Sequence, residues 1–130
     1  MLKKTVTYTD YNGVERTEDY YFNLTKAEIA EMELSVSGGY AEMLNKIVAA
    51  QDMPTLIKVW KELLLKAYGE KSLDGRRFIK SEEISTAFSQ TEAYSILFME
   101  FATDADSAAQ FVNGIMPADL NRTSVVPANH

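Results

Sequence analysis

Cysteine is absent from the chain, and histidine occurs once, as the final residue His130. Without cysteine there are no disulfides and no thiolate metal sites. One terminal histidine, expected to be mobile, leaves no Ser–His or Cys–His arrangement to assemble. Neither an HExxH helix nor a glycine-rich phosphate loop is present. Long apolar runs are missing too, so nothing here reads as a membrane span. The opening residues Met1-Leu2-Lys3-Lys4 lead into polar, β-prone sequence rather than an apolar signal core, so secretion is not expected. An excess of basic residues is also lacking. The formal charge is −6, and phosphate binding needs a basic surface, which argues against nucleic acid as a partner. The carboxylate pairs Glu82–Glu83 and Asp104–Asp106 are the candidates for a metal. They read instead as acids at helix starts, where the helix dipole favours them. The expectation is a binding protein with no catalysis, cofactor or metal.

What is there suits one domain. A chain of 130 residues can bury a modest core, and the apolar and charged fractions are ordinary for a folding sequence. The stretch Met53 to Tyr68 organises the rest. At about 100° per residue, Met53, Leu56, Ile57, Val59, Trp60, Leu63, Leu64 and Ala67 share one broad arc, opposite Lys58, Lys61, Glu62 and Lys66. Asp52 is its N-cap, Pro54 stands in the first turn, and Gly69 offers a left-handed ending. Leu65 points out among the lysines. It is either a tolerated surface leucine or a contact for a partner.

Before this helix, Lys3–Thr9 and Val14–Phe22 alternate around Asn12-Gly13, a strong hairpin signal. Val6, Tyr8, Tyr20 and Phe22 supply the apolar face, which must lie on helices to be stable. The free edges are either guarded by Lys, Glu and Asp or available to pair with another chain. Thr25 and Glu28 form a capping box, with Leu24 and Ile29 as a hydrophobic staple, for a short helix from Lys26 to about Leu34. Gly38-Gly39 breaks the chain before a helix from Tyr40 to about Ala50. Residues Glu70 to Phe78 read as a polar turn around Asp74-Gly75. Ser81 caps a helix to about Phe88. Ser89 with Glu92 starts another, unless the two segments are continuous.

The segment Glu92 to Ala102 is apolar nearly all round. Ala93, Tyr94, Leu97, Phe98 and Phe101 make one arc, while Ile96 and Met99 project from the other side. Such a helix is either central in the fold or uses its second face for a partner. Asp104 or Asp106 caps a last helix ending near Gly114. The fold class is therefore α+β and mostly helical: an N-terminal β-hairpin followed by five or six short α-helices. Residues 1–120 form one domain, and 121–130 are a loose tail in which Val125-Val126 can dock.

Two long strings, YYFNLTKAEIAEME from Tyr20 and AYGEKSLDGRRFIKSEEISTAFSQTEAYSILFME from Ala67, resemble the tail assembly chaperones of long-tailed bacteriophages of Gram-positive hosts. The ending FATDADSAAQFVNGIMPADL is similar to that group as well, so the likeness runs from about Thr5 to Leu120. The resemblance implies a protein of the infected host's cytoplasm that binds the tape measure protein and keeps it soluble. It also implies absence from the mature virion, and a frameshifted longer form that recruits the tail tube protein. Leu65, Ile96 and Met99, with the hairpin edge, are the candidate contacts for the partner or for a homo-oligomer. The alternative is a structural head–tail connector or tail terminator of the virion. An acidic mimic of DNA fits poorly, because the carboxylates are interleaved with lysines and arginines.

Overall fold

The hairpin folds as its alternation requires. In the computed structural model, which describes residues 1–117 except 36, 40, 41, 44, 45, 47 and 48, strand β1 (Leu2–Thr9) pairs antiparallel with β2 (Glu15–Phe22). Val6 opposes Glu18, and Leu2 opposes Phe22. That register puts Leu2, Lys4, Val6 and Tyr8 on one face with Glu18, Tyr20 and Phe22. Val6, Tyr20 and Phe22 are buried there and Tyr8 packs against them. The other face carries Thr5 donating to Asp19, and Thr7 bonded to Thr17. The connecting loop is built on Asp10, whose carboxylate accepts from the backbones of Asn12 and Val14 and from Arg16. Gly13 alone in that loop has a positive φ, of 80°, so the turn is longer than the two-residue type I′ form.

Five helices are complete among the described residues: α1 (Lys26–Leu34), α2 (Met53–Ala67), α3 (Glu82–Ser89), α4 (Glu92–Thr103) and α5 (Ala105–Ile115). Their starts are set by side chains. Thr25 and Glu28 complete the capping box, Asp52 accepts from Thr55 N–H, Ser81 from Ile84 N–H, and Asp104 from Asp106 and Ser107 N–H. The expected helix from Tyr40 to Ala50 falls largely outside the described residues, as do its apolar positions Leu44, Ile47 and Val48. Of that stretch, residues 42, 43, 46 and 49 are helical. The expected loose tail, with Val125-Val126 and His130, lies outside the described residues as well.

Four expectations need correction. Ser89 does not cap α4. Thr91 does, accepting from Tyr94 N–H, and its own backbone N–H closes a turn on Phe88 O, so α3 and α4 are separate. Gly69 is not a left-handed helix ending. The cap residue Tyr68 is extended (φ −67°, ψ 143°), and α2 runs directly into strand β3 (Tyr68–Lys71). This strand pairs with β2 at Tyr21↔Gly69 and Phe22↔Tyr68, and with β4 (Phe78–Ile79). The polar turn is therefore the tip of a second hairpin, and among the described residues the sheet has four strands in the order β1-β2-β3-β4. A Cβ at Gly69 would stand 2.6 Å from the Phe78 ring and 2.9 Å from the Ile79 carbonyl oxygen. Glycine is needed there for close approach, not for a positive φ. Finally, the apolar arc of α2 is buried only toward its C-terminal end, at Leu63, Leu64 and Ala67. Met53 and Ile57 are exposed.

The core lies between the sheet and helices α2 to α5. Aromatic rings dominate it. Phe22 packs edge-on against Tyr68, Phe88 and Phe111, and Tyr68 stacks on Phe88 with centroids 4.1 Å apart. Backbone bonds tie the end of the hairpin to two helix ends, with Asn23 N–H donating to Ala67 O and Leu24 N–H to Ile115 O. Lys80 extends this junction by donating to both Asn23 O and Glu28.

Candidate partner-binding surface

Helix α4 presents two faces because its sequence is apolar nearly all round. Ala93, Leu97 and Phe101 are buried, and Lys4 of β1 donates to Glu100 at 2.9 Å, fixing the helix across the sheet. Ile96 and Met99 fall outside that contact, 39% and 53% exposed. Three residues apart, they share one side of the helix.

Met99 also borders a groove of about 530 Å³. Tyr94 and Phe98 of α4 form its apolar wall, Lys61 of α2 and Thr91 contribute its polar edges, and Tyr11 of the hairpin loop also lines it. Tyr11 is 79% exposed. The sequence reading missed Tyr11 and the groove. A tyrosine beside Asn12-Gly13 marks an exposed loop, but nothing local shows that this loop comes near α4.

Leu65 behaves differently from the expectation that it points outward. It is half-buried and packed against the core, and its carbonyl accepts from the Ser85 hydroxyl. Helix α3 approaches the α2 backbone at this point, and a side chain that the helical wheel leaves open packs against the core. Leu65 does not line the groove; Lys61, one turn before it, does.

The sheet supplies a second exposed feature. Among the described residues β1 has no strand partner on its outer side, and β2 is paired by β3 only at Tyr21 and Phe22. The helix-facing side near the loop is polar: Tyr8 and Tyr20 both donate to Glu18. The hydroxyl of Tyr8, then that of Tyr20, hold the Glu18 carboxyl below its ordinary range. Burial, with these same bonds, pushes the Tyr20 phenol well up. The arrangement locks side chains rather than activating one. The acids suggested for metal binding are also accounted for. Glu82 and Glu83 are exposed in the first turn of α3. Asp104 is held low by hydrogen bonds from Ser107 and Asp106. No group of three or more metal-ligating side chains occurs among the described residues, and no helix among them is long and apolar enough to cross a membrane.

The family follows from comparison with known proteins. A family model described as phage tail assembly chaperone matches residues 1–127. The chain belongs to that family. No curated protein and no solved structure matches it. Membership in a tail assembly chaperone family implies partners among tail proteins and a role in tail assembly. For the chaperone, exposed apolar side chains are then the features to examine.

Proposed function

We propose that this chaperone binds the tape measure protein during tail morphogenesis and keeps it soluble until tube subunits assemble around it. The observation that carries the reading is the side of α4 bearing Ile96 and Met99, exposed beside an open groove. A tape measure protein presents long apolar helix faces, and such a face is complementary to these side chains and to the Tyr94–Phe98 wall. Burial at about 25 cal/mol per Å² makes a few side chains of this size worth several kcal/mol per copy. Many copies on one long ligand gain further through multivalency. The formal charge of −6 keeps unbound copies apart. Leu65, half-buried against the core, contributes only through the part of its side chain that stays exposed.

The host cytoplasm is the place of action in this reading, and the mature virion lacks the protein. A frameshifted longer form recruits the tail tube protein. The outer edge of β1, unpaired among the described residues, supports a second reading, a connector or terminator ring of the virion built by strand pairing. Mass spectrometry of purified particles separates the two: a stoichiometric amount of this chain in virions favours the ring.

The direct test is co-expression with the tape measure protein. The wild-type chain should bring it into the soluble fraction. Ile96→Asp with Met99→Asp should abolish co-purification while leaving the circular dichroism spectrum helical, because neither side chain is in the core. Binding that survives the double change overturns the assignment of this face.

A further inference from the structure

A second depression, about 250 Å³ in volume, opens where α3 meets the sheet, and its chemistry differs from that of the groove beside Met99. Tyr20, Tyr68 and Phe88 form its floor, and Glu70 of β3 and Glu83 of α3 stand at its rim. The Tyr68 and Phe88 rings lie parallel, 12° apart in plane, with Tyr20 tilted against Phe88 at 5.4 Å. Tyr68 is only 9% exposed, yet its hydroxyl, unlike that of Tyr20, has no hydrogen-bond partner among the described residues. The oxygen itself is not sealed, since among the described residues only Trp60 Nε1 is a buried side-chain polar atom without a partner; the Tyr68 phenol is open to a donor from outside. Its remaining exposure is into this pocket.

The charge around the pocket is of one sign. Neither Glu70 nor Glu83 has an ion-pair partner among the described residues, and no cation lines the pocket. Arg77, diagonally across the β3–β4 hairpin from Glu70, is exposed and does not line the pocket, and other basic side chains of the sheet and its flanks are used elsewhere. Lys71 lies over the Tyr21 ring at 4.4 Å, Arg16 bonds Asp10, and Lys80 bonds Glu28. Burial first, then the charges of Glu70 and Glu18, raise the Tyr68 phenol above its ordinary value. An aromatic floor with carboxylates at the rim attracts a flat cation. The guanidinium group can lie against the small part of the rings left open to the pocket, donate to the phenol oxygen and pair with a carboxylate at once.

We propose that this pocket receives an arginine side chain of a partner polypeptide. The contact adds a charged anchor to the apolar face on α4. It depends on the preceding reading only in taking the ligand to be a polypeptide, and it shares neither Ile96 nor Met99.

The test is a titration of the ¹⁵N-labelled full chain with N-acetylarginine amide, followed by amide chemical shifts at constant ionic strength. Saturable shifts should centre on Tyr68, Glu70, Glu83 and Ala87. The neutral analogue N-acetylcitrulline amide should leave them in place. Glu70→Gln with Glu83→Gln should weaken binding about twofold to fivefold, as expected for losing a solvent-accessible ion pair. Tyr68→Phe should weaken it without changing the spectrum elsewhere. Ile96→Asp with Met99→Asp should not affect it, so failure here is separable from failure of the tape measure reading. No localised saturable shift, equal shifts with citrulline amide, or undiminished binding by the Gln variant overturns the proposal. A lysine amide that binds as tightly overturns the choice of a planar guanidinium.

Discussion

Gly69→Ala is the sharpest probe of how α2 hands over to the sheet. The added Cβ would meet the Phe78 ring at 2.6 Å and the Ile79 carbonyl oxygen at 2.9 Å. Phe78 is half-exposed, and its ring can swing aside at little cost. The carbonyl cannot, because Ile79 pairs with Glu70 next to Gly69. Relief requires β4 to move away by a few tenths of an ångström, an overpacking defect that typically costs about 1–3 kcal/mol. With an unfolding entropy of about 2.1 cal/mol/K per residue, each kcal/mol is worth roughly 4 °C in a chain of this length, so Tm should fall by about 4–11 °C. Calorimetry reads the shift, and amide exchange at Lys71 and Ile79 should quicken if β3–β4 opens. Gly69→Asn separates this account from a left-handed helix ending. Asparagine tolerates the left-handed conformation, so a C-cap would accept it, whereas the crowded strand position should suffer at least as much as with alanine. A Gly69→Asn protein that melts with the wild type refutes the reasoning.

Phe88→Ala should be the most damaging single change, about 3–5 kcal/mol by urea denaturation, because Phe88 is 3% exposed and packs on Tyr20, Phe22, Tyr68 and Tyr94; a loss below about 1 kcal/mol would mean the aromatic cluster is not built this way. Gly114→Ala should cost about 1 kcal/mol or less: the helix gains up to about 1 kcal/mol, against crowding of Leu2, whose flexible Cδ1 would lie at 2.9 Å but whose Cβ, fixed to the strand backbone, would lie at 3.2 Å. A Tm change of more than a few degrees either way would contradict that balance. For Glu28, burial pushes the carboxyl up, but hydrogen bonds from Lys80 and Thr25 outweigh it and leave it below its ordinary value. The folded state therefore binds the proton less readily than the unfolded chain. The stability this adds is present above the ordinary carboxylate range and lost as pH falls through the folded value. Glu28→Gln should be less stable than wild type at neutral pH, with the two curves converging in acid; a constant gap across pH would show that the charge is not what matters.

The local rules were legible in the sequence because they act over a few residues. The Thr25–Glu28 capping box, Asp52 and Ser81 as caps, the turns at Asn12-Gly13 and Asp74-Gly75, and the hairpin face of Val6, Tyr8, Tyr20 and Phe22 all follow from spacing and side-chain chemistry. The second face of α4 was only one of two readings, since a helix apolar nearly all round can also be central; the exposure of Ile96 and Met99 is a result of the packing. Family membership was carried by long strings of residues. Tertiary structure decided what distance along the chain conceals. Strand β3 is four residues long and too polar to announce itself, and it exists because Gly69 allows β4 to approach. Leu65 sits on the polar side of its wheel, yet it packs against the core. Tyr11 meets the groove, and Tyr68 meets Glu70 and Glu83 around one pocket, only because the sheet and helices fold back on each other. Periodicity reports which way a side chain points from its own element. Which other element then stands in front of it is set by packing of the whole chain.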